Sequence, residues 1–219
     1  MSITRSEQDY LKAIYKLQGD GRPVATSALA DQLGVAAPSA TNMVGKLAEA
    51  GMLRHTPYHG VELTPAGAAV ALEVIRHHRL WELFLHRALG LPLDQLHGEA
   101  ERLEHDLSES LEDHIARLLG DPTVDPHGDP IPARDGQLEA VVWPSIAELP
   151  IGRPATVRRV PDSDAELLRY IQSLGLVPGA VVEVSGREPF EGPVSVRVDG
   201  VDRVLGVGLA SRLFVEPAE

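Results

Sequence analysis

Apolar residues recur at helical spacing from Arg5 to Leu17, where Tyr10, Leu11, Ile14, Tyr15 and Leu17 share a face and Ser6 is placed to cap the start. Two shorter helical patterns follow within Val24–Leu63. The first, TSALADQLG, takes Thr26 as its N-cap, turns Leu29, Ala30 and Leu33 inward and closes at Gly34. The second starts near Ala37 with Pro38 in its first turn, where a missing N–H costs nothing. It runs to Gly51 with Met43, Val44, Leu47 and Ala50 buried. Two β-compatible runs, Met52–Thr56 and Val61–Thr64, flank a turn at His59 and Gly60 and predict a hairpin. Helix, tight turn, helix and hairpin in this order make a winged helix-turn-helix; an ordinary helical hairpin would lack the wing. The outer face of its second helix shows Ser39, Thr41, Asn42 and Lys46, short polar groups and a cation suited to base edges and phosphates. Thr26, Ser27 and Pro38 complete the expected DNA-contacting set.

Beyond the wing, Pro65–Leu89 is long, apolar and free of internal proline, and Leu93–Leu119 continues the helical pattern. Leu80, Trp81, Leu83, Phe84, Leu85 and Leu89 supply either a dimer interface or a monomeric core. At Asp121 the composition changes to DPTVDPHGDPIPARDG, a loop or tether rather than a helix. From Pro150 the runs ATVRRV, AVVEVSG, PVSVRVDG and RVLGVG alternate in β fashion, with a helical interruption at Asp164–Ser173, and predict a small barrel. The fold class is mainly α with a small C-terminal β domain. The expected domains are a winged helix-turn-helix over 1–72, a helical dimerisation domain over 73–140, a linker over 141–150 and an SH3-like barrel over 151–219.

The 219 residues suffice for more than one domain, and the absence of cysteine removes disulfides, thiolate nucleophiles and thiolate metal sites together. With neither a secretory signal nor an apolar run of eighteen residues, a soluble cytoplasmic protein without membrane contact is expected. The net charge of −12 is unevenly spread. Residues 1–60 hold six Lys and Arg against five Asp and Glu, whereas the remainder holds fourteen against twenty-seven. The DNA-facing part is thus relatively basic, and the acidic excess elsewhere can attract cations.

The candidate chemistry lies in His97–His105, HGEAERLEH, where a continuous helix would set Glu101, Glu104 and His105 on one face, with His97 a turn earlier. His78 and Glu82 repeat the i, i+4 spacing upstream. Carboxylates and imidazoles in this pattern suit a borderline divalent cation, and they equally suit a solvated acidic helix. His77, His86 and His114 fall on other helical faces, where packing or surface roles are expected; His55 and His59 lie in the wing.

Winged helix, H-x-x-x-E, E-x-x-E-H, Pro-rich tether and β module in this order resemble the diphtheria-toxin-repressor family of metal-activated transcriptional regulators. RHHRLWE, HGEAERLEH and DPHGDPIP carry the resemblance most specifically. The β module resembles the family's SH3-like, FeoA-type domain. The resemblance implies one metal site from Asp9, Glu101, Glu104 and His105, with His78 as the matching histidine of the long helix. It implies a second from His78, Glu82 and His97, to which one of Asp162, Asp164 and Glu166 could be added. Iron-type members carry methionine and cysteine where Asp9 and Glu101 stand, and manganese-type members carry carboxylates, so Mn(II) is implied, with Fe(II) the alternative. Lys12 stands where binuclear manganese-type members have a carboxylate, which leaves that cage incomplete. The implied function is metal-dependent binding of a homodimer to a double-stranded DNA operator, repressing metal uptake. A winged-helix regulator answering a non-metal ligand would bind operator regardless of chelation, and a metallohydrolase would lack a use for the wing and has no H-E-x-x-H.

Overall fold

The computed structural model describes residues 3–19, 21–138 and 141–218. It divides into two compact units: Met1–His78 with Leu103–Glu109 and Pro132–Gln137, and Arg79–Arg102 with Ser110–Ile131 and Leu138–Glu219. In the first, α1 (Arg5–Gln18), α2 (Thr26–Leu33) and α3 (Ala37–Glu49) precede a hairpin of β1 (Leu53–Thr56) and β2 (Gly60–Leu63). The strands pair antiparallel from Leu53 opposite Leu63 to Thr56 opposite Gly60. Leu11, Ile14, Leu29, Val44, Leu47 and Val61 form the core beneath them. The winged helix-turn-helix is therefore present, and its outer α3 residues Ser39, Thr41 and Asn42 are exposed.

Two helix starts differ from expectation. Thr4 caps α1 in place of Ser6: its hydroxyl accepts from Glu7 N–H while the Glu7 carboxylate accepts from Thr4 N–H, a reciprocal box that Ser6 has no partner to build. Ala25, not Thr26, occupies the N-cap of α2 without a side-chain bond, and Thr26 is the first helical residue. Glu7 has a second partner, since its Oε1 lies 3.0 Å from Lys46 Nζ on α3. Lys46, expected to meet phosphate, thus also ties the recognition helix to α1.

α4 (Pro65–Leu89) matches its predicted span. The expected single helix Leu93–Leu119 does not form. It is broken into α5 (Leu93–Leu103), a 3-10 turn at Glu104–Asp106 and α6 (Glu109–Leu118). Leu107 is extended, at ψ 112°, so the helical path ends there and restarts after Ser108, a good N-cap residue type. Glu104 and His105 consequently sit on the tight turn, not on the helix that carries Glu101.

The second unit ends in a five-stranded antiparallel sheet of order β6-β5-β4-β3-β7, built from β3 (Pro154–Arg159), β4 (Val181–Arg187), β5 (Val194–Val198), β6 (Val201–Leu205) and β7 (Phe214–Pro217), with α7 (Ala165–Ser173) and the short α8 (Val207–Ala210) between strands. Alternate residues Val182, Val184, Val194 and Val196 face inward and are fully buried. β7 lies beyond the runs that predicted strands. The stretch 141–150, read as a linker, contributes the fully buried Ile146 and Leu149, and Ile146 N–H donates to Leu213.

The loop after α6 is likewise tied down rather than loose. Val124 bridges Pro130, Asp125 N–H donates to the Asp129 carbonyl, and Val160 N–H donates to the His127 carbonyl. Gly128 sits at φ +92°, and a Cβ there would lie 1.7 Å from the Arg158 carbonyl oxygen. Only glycine fits this approach.

Two outcomes follow for stability. Gly128→Ala loses more than about 2 kcal/mol in urea unfolding, because clash and backbone strain act together. Glu7 is held at about 2 by the Thr4 N–H, then by the Thr4 hydroxyl and the Lys46 ammonium. A depressed carboxylate stabilises fully above its unfolded value of 4.5 and loses that contribution as pH falls toward 2. Glu7→Gln keeps an oxygen for Thr4 N–H but loses the charge near the α1 N-terminus and on Lys46, and so costs about 1 kcal/mol at pH 7. Its urea midpoint converges on that of the wild type between pH 4.5 and 2; a constant difference across that range contradicts the assignment.

Candidate metal centre

In the first unit, α1, α4 and the 3-10 turn bring Asp9, Lys12, His78, Glu104 and His105 together. Glu104 is fully buried. Lys12 Nζ lies 2.7 and 2.8 Å from its two oxygens, and His78 Nδ1 lies 2.5 Å from Oε2. His105 Nε2 stands 2.9 Å from Asp9 Oδ1 and 3.6 Å from Glu104 Oε1. The other ring nitrogen, Nδ1, donates to Gln8 Oε1 at 2.8 Å, which leaves Nε2 as the nitrogen turned toward the carboxylates. One donor atom each from Asp9, Glu104 and His105 lies within 4.8 Å of the others. This is a tripod of oxygen and nitrogen donors in which Gln8, one residue from Asp9, orients the imidazole. His77 sits beside His78 but binds the Glu104 backbone carbonyl through Nδ1 at 3.1 Å, a packing role.

The second unit holds a separate cluster. Glu82 comes from α4, His97 from α5, Asp125 and His127 from the loop after α6, and Asp162 from the turn after β3. His97 Nδ1 lies 3.7 Å from Glu82 Oε1 and 3.8 Å from Asp162 Oδ2, and its Nε2 lies 3.7 Å from Glu101. Glu101, on the outer face of α5, is half-buried. His127 Nδ1 lies 3.8 Å from Glu82 Oε2, with both side chains fully buried. Of the three acidic candidates after β3, Asp162 reaches this cluster. Asp164 instead caps α7, accepting from Glu166 and Leu167 N–H at 3.0 Å each.

Asp125 and His127 were not among the expected ligands. The loop geometry prepares both. Asp125 Oδ1 accepts from the backbone N–H groups of His127 and Asp129 at 2.8 and 2.9 Å, so Oδ2 is left to point inward. His127 Nε2 faces the Leu93 carbonyl at 3.3 Å, and since a carbonyl only accepts, Nε2 keeps its proton and Nδ1 is the nitrogen open to a cation once its own proton leaves. Asp125 Oδ2 and His127 Nδ1 have no hydrogen-bond partner among the described residues. Buried polar atoms without partners are rare and call for an explanation, and a cation would supply one. The donors fit a divalent first-row ion: they are carboxylate oxygen and imidazole nitrogen, without sulfur.

Electrostatics agree. Burial pushes the Asp125 carboxyl upward, and the neighbouring negative charges of Glu82 and Asp129 push it further. Burial alone would lower the His127 imidazole, but the Glu82 carboxylate, followed by Asp125 and Asp162, raises it to about 9. The cluster is thus short of positive charge and gathers protons in its place. Arg79 offsets part of the deficit from 3.7 Å of Asp125 and 3.5 Å of Asp129. Two further histidines have backbone acceptors: His86 bonds the Leu91 carbonyl just beyond α4 at 2.9 Å, and His114 bonds the Ser110 carbonyl.

Comparison with known proteins gives this arrangement a lineage. Residues 2–61 match the iron dependent repressor N-terminal DNA binding domain, residues 64–133 the iron dependent repressor metal binding and dimerisation domain, and residues 145–217 the FeoA domain. The iron-dependent repressor IdeR of Mycobacterium tuberculosis is 34% identical over 190 residues, 80% of this chain and 81% of that protein. A solved manganese-dependent transcriptional repressor in complex with manganese superposes at TM-score 0.89 with 39% identity, covering 97% of this chain and all of that one. The repressor ScaR with bound Zn2+ superposes at 0.83 with 31% identity over 97% of this chain and 99% of that one. Among the described residues no helix is long and apolar enough to cross a membrane. With all three of its domains matched in order, the chain belongs to the diphtheria-toxin-repressor family and is a metal-dependent transcriptional repressor, not an enzyme.

Proposed function

We propose that the chain is a Mn(II)-activated repressor that binds a double-stranded operator as a homodimer in the cytoplasm and silences metal-uptake genes when the metal is plentiful. The observation that carries the metal preference is the donor chemistry: both clusters offer only carboxylate and imidazole, with Asp9 and Asp125 supplying hard oxygen. Asp9, Glu104 and His105 hold one ion, with His78 in the role implied by the family resemblance. Glu82, His97, Asp125, His127 and Asp162 hold another. Fe(II) remains the second reading, because relatives such as IdeR are iron-dependent repressors.

The residues of the first unit give the coupling a physical route. When bound, the cation would supply positive charge shared by the Asp9 and Glu104 carboxylates. Asp9 then anchors α1 to the turn that carries Glu104 and His105. α1 in turn holds the recognition helix through Leu11 and Ile14 in the shared core and through Glu7 on Lys46. A fixed α3 can meet successive major grooves, about 34 Å apart on one face of the duplex, from the two protomers. A coupling of about 1–3 kcal/mol suffices for metal-dependent occupancy.

Three outcomes test this reading on chelated protein titrated against an operator selected from random duplexes. Mn(II) activates binding at concentrations no higher than Fe(II) under anaerobic conditions; activation by Fe(II) alone contradicts the preference, and binding indifferent to chelation contradicts metal dependence altogether. His105→Ala abolishes activation while the chain stays folded by circular dichroism. Asn42→Ala relaxes sequence preference at a cost of about 1–3 kcal/mol, the worth of a bidentate base contact.

A further inference from the structure

The Lys12–Glu104 pair does more than leave a cage incomplete. Glu104 is a carboxylate with both oxygens engaged: Lys12 Nζ sits 2.7 Å from one and 2.8 Å from the other, and His78 adds a third contact at 2.5 Å. The Lys12 and Glu104 side chains are only 8% and 0% exposed, so water does not compensate either charge. A buried carboxylate stripped of its partner is strongly unfavourable. The oxygen nearest the ammonium, Oε1, is also the one 3.6 Å from His105 Nε2, in the tripod with Asp9. A divalent ion within bonding distance of Oε1, about 2.0–2.2 Å, would therefore stand beside the ammonium, and two cations so placed repel strongly in a buried site.

We propose that Lys12 is a tethered cation that competes with the divalent ion for Glu104, and thereby sets the metal concentration at which the Asp9 cluster fills. The inference rests on the metal reading above and concerns a residue outside the donor set. Without metal, Lys12 neutralises Glu104. With metal, Glu104 turns from the ammonium to the ion, so the free energy of the pair is subtracted from binding. Linkage then requires that removing the ammonium destabilise the metal-free protein and tighten metal binding together.

The test uses the full chain and Mn(II) itself, with occupancy read by equilibrium dialysis and stability by thermal unfolding in chelator and in saturating Mn(II). Lys12→Met, which keeps much of the side-chain volume, should fill one class of site at least tenfold lower free Mn(II) than wild type. It should also melt lower than wild type in chelator but alongside it when loaded. Equal loss of melting temperature in both states with unchanged affinity would make Lys12 a plain structural partner and overturn the proposal. Lys12→Arg keeps the charge and grips a carboxylate through a fork, so it raises the Mn(II) requirement; a lower or unchanged requirement overturns the proposal even if Lys12→Met does not fold. Wild-type protein that takes up no Mn(II) would sink the metal reading itself, whereas normal uptake with unresponsive Lys12 variants sinks only the role of Lys12.

Discussion

A fully buried carboxylate is the constraint on which the first unit turns. Glu104 has no access to water, so its charge must be met by cations or imidazoles brought to it. α1 delivers Lys12, α4 delivers His78, and the 3-10 turn places His105 beside the same group. Three segments distant in sequence are thereby held around one side chain. Because α1 also packs against α3, the compensation of Glu104 and the placement of the recognition helix are parts of one packing problem.

The second unit solves the same problem differently. Glu82, Asp125, His127 and Asp162 converge with Arg79 as a partial counter-charge, and the loop between Asp125 and Asp129 is shaped by backbone bonds to a single carboxylate oxygen. Its geometry points Oδ2 and Nδ1 inward with no hydrogen-bonding partner among the described residues. Preorganisation of this kind lowers the ordering needed to bind a cation, and the raised proton affinity of His127 and Asp125 marks a local deficit of positive charge.

Much of this was legible in the residues. Periodicity and helix-end chemistry located α1 to α4 and the wing, because a 3.6-residue apolar stripe and the proline at the start of α3 are local signals. The break at Leu103 was not, since neither glycine nor proline marks it; only Ser108 hints that a new helix begins. That break removes the single-face geometry expected for Glu101, Glu104 and His105. Asp125 and His127 were hidden by composition: a segment rich in proline and glycine reads as a tether, although the D-P-H-G-D order encodes the turn that aims both side chains inward. The choice of Asp162 over Asp164 was partly readable, because Asp164 precedes a helical run with Glu166 in its first turn and is thereby committed as a cap. The Lys12–Glu104 pair, 92 residues apart, is a tertiary contact that no local pattern announces.

In the proposed function, metal at the Asp9, Glu104 and His105 cluster fixes α1 and, through it, α3. Amide hydrogen exchange followed segment by segment, in chelator and in saturating Mn(II), tests it most directly. With Mn(II), exchange slows across Arg5–Gln18, the Glu104–Asp106 turn and Ala37–Glu49, and that protection is lost in His105→Ala. Protection confined to the loop around Asp125 and His127, with α1 and α3 exchanging at the same rate in both conditions, would contradict it.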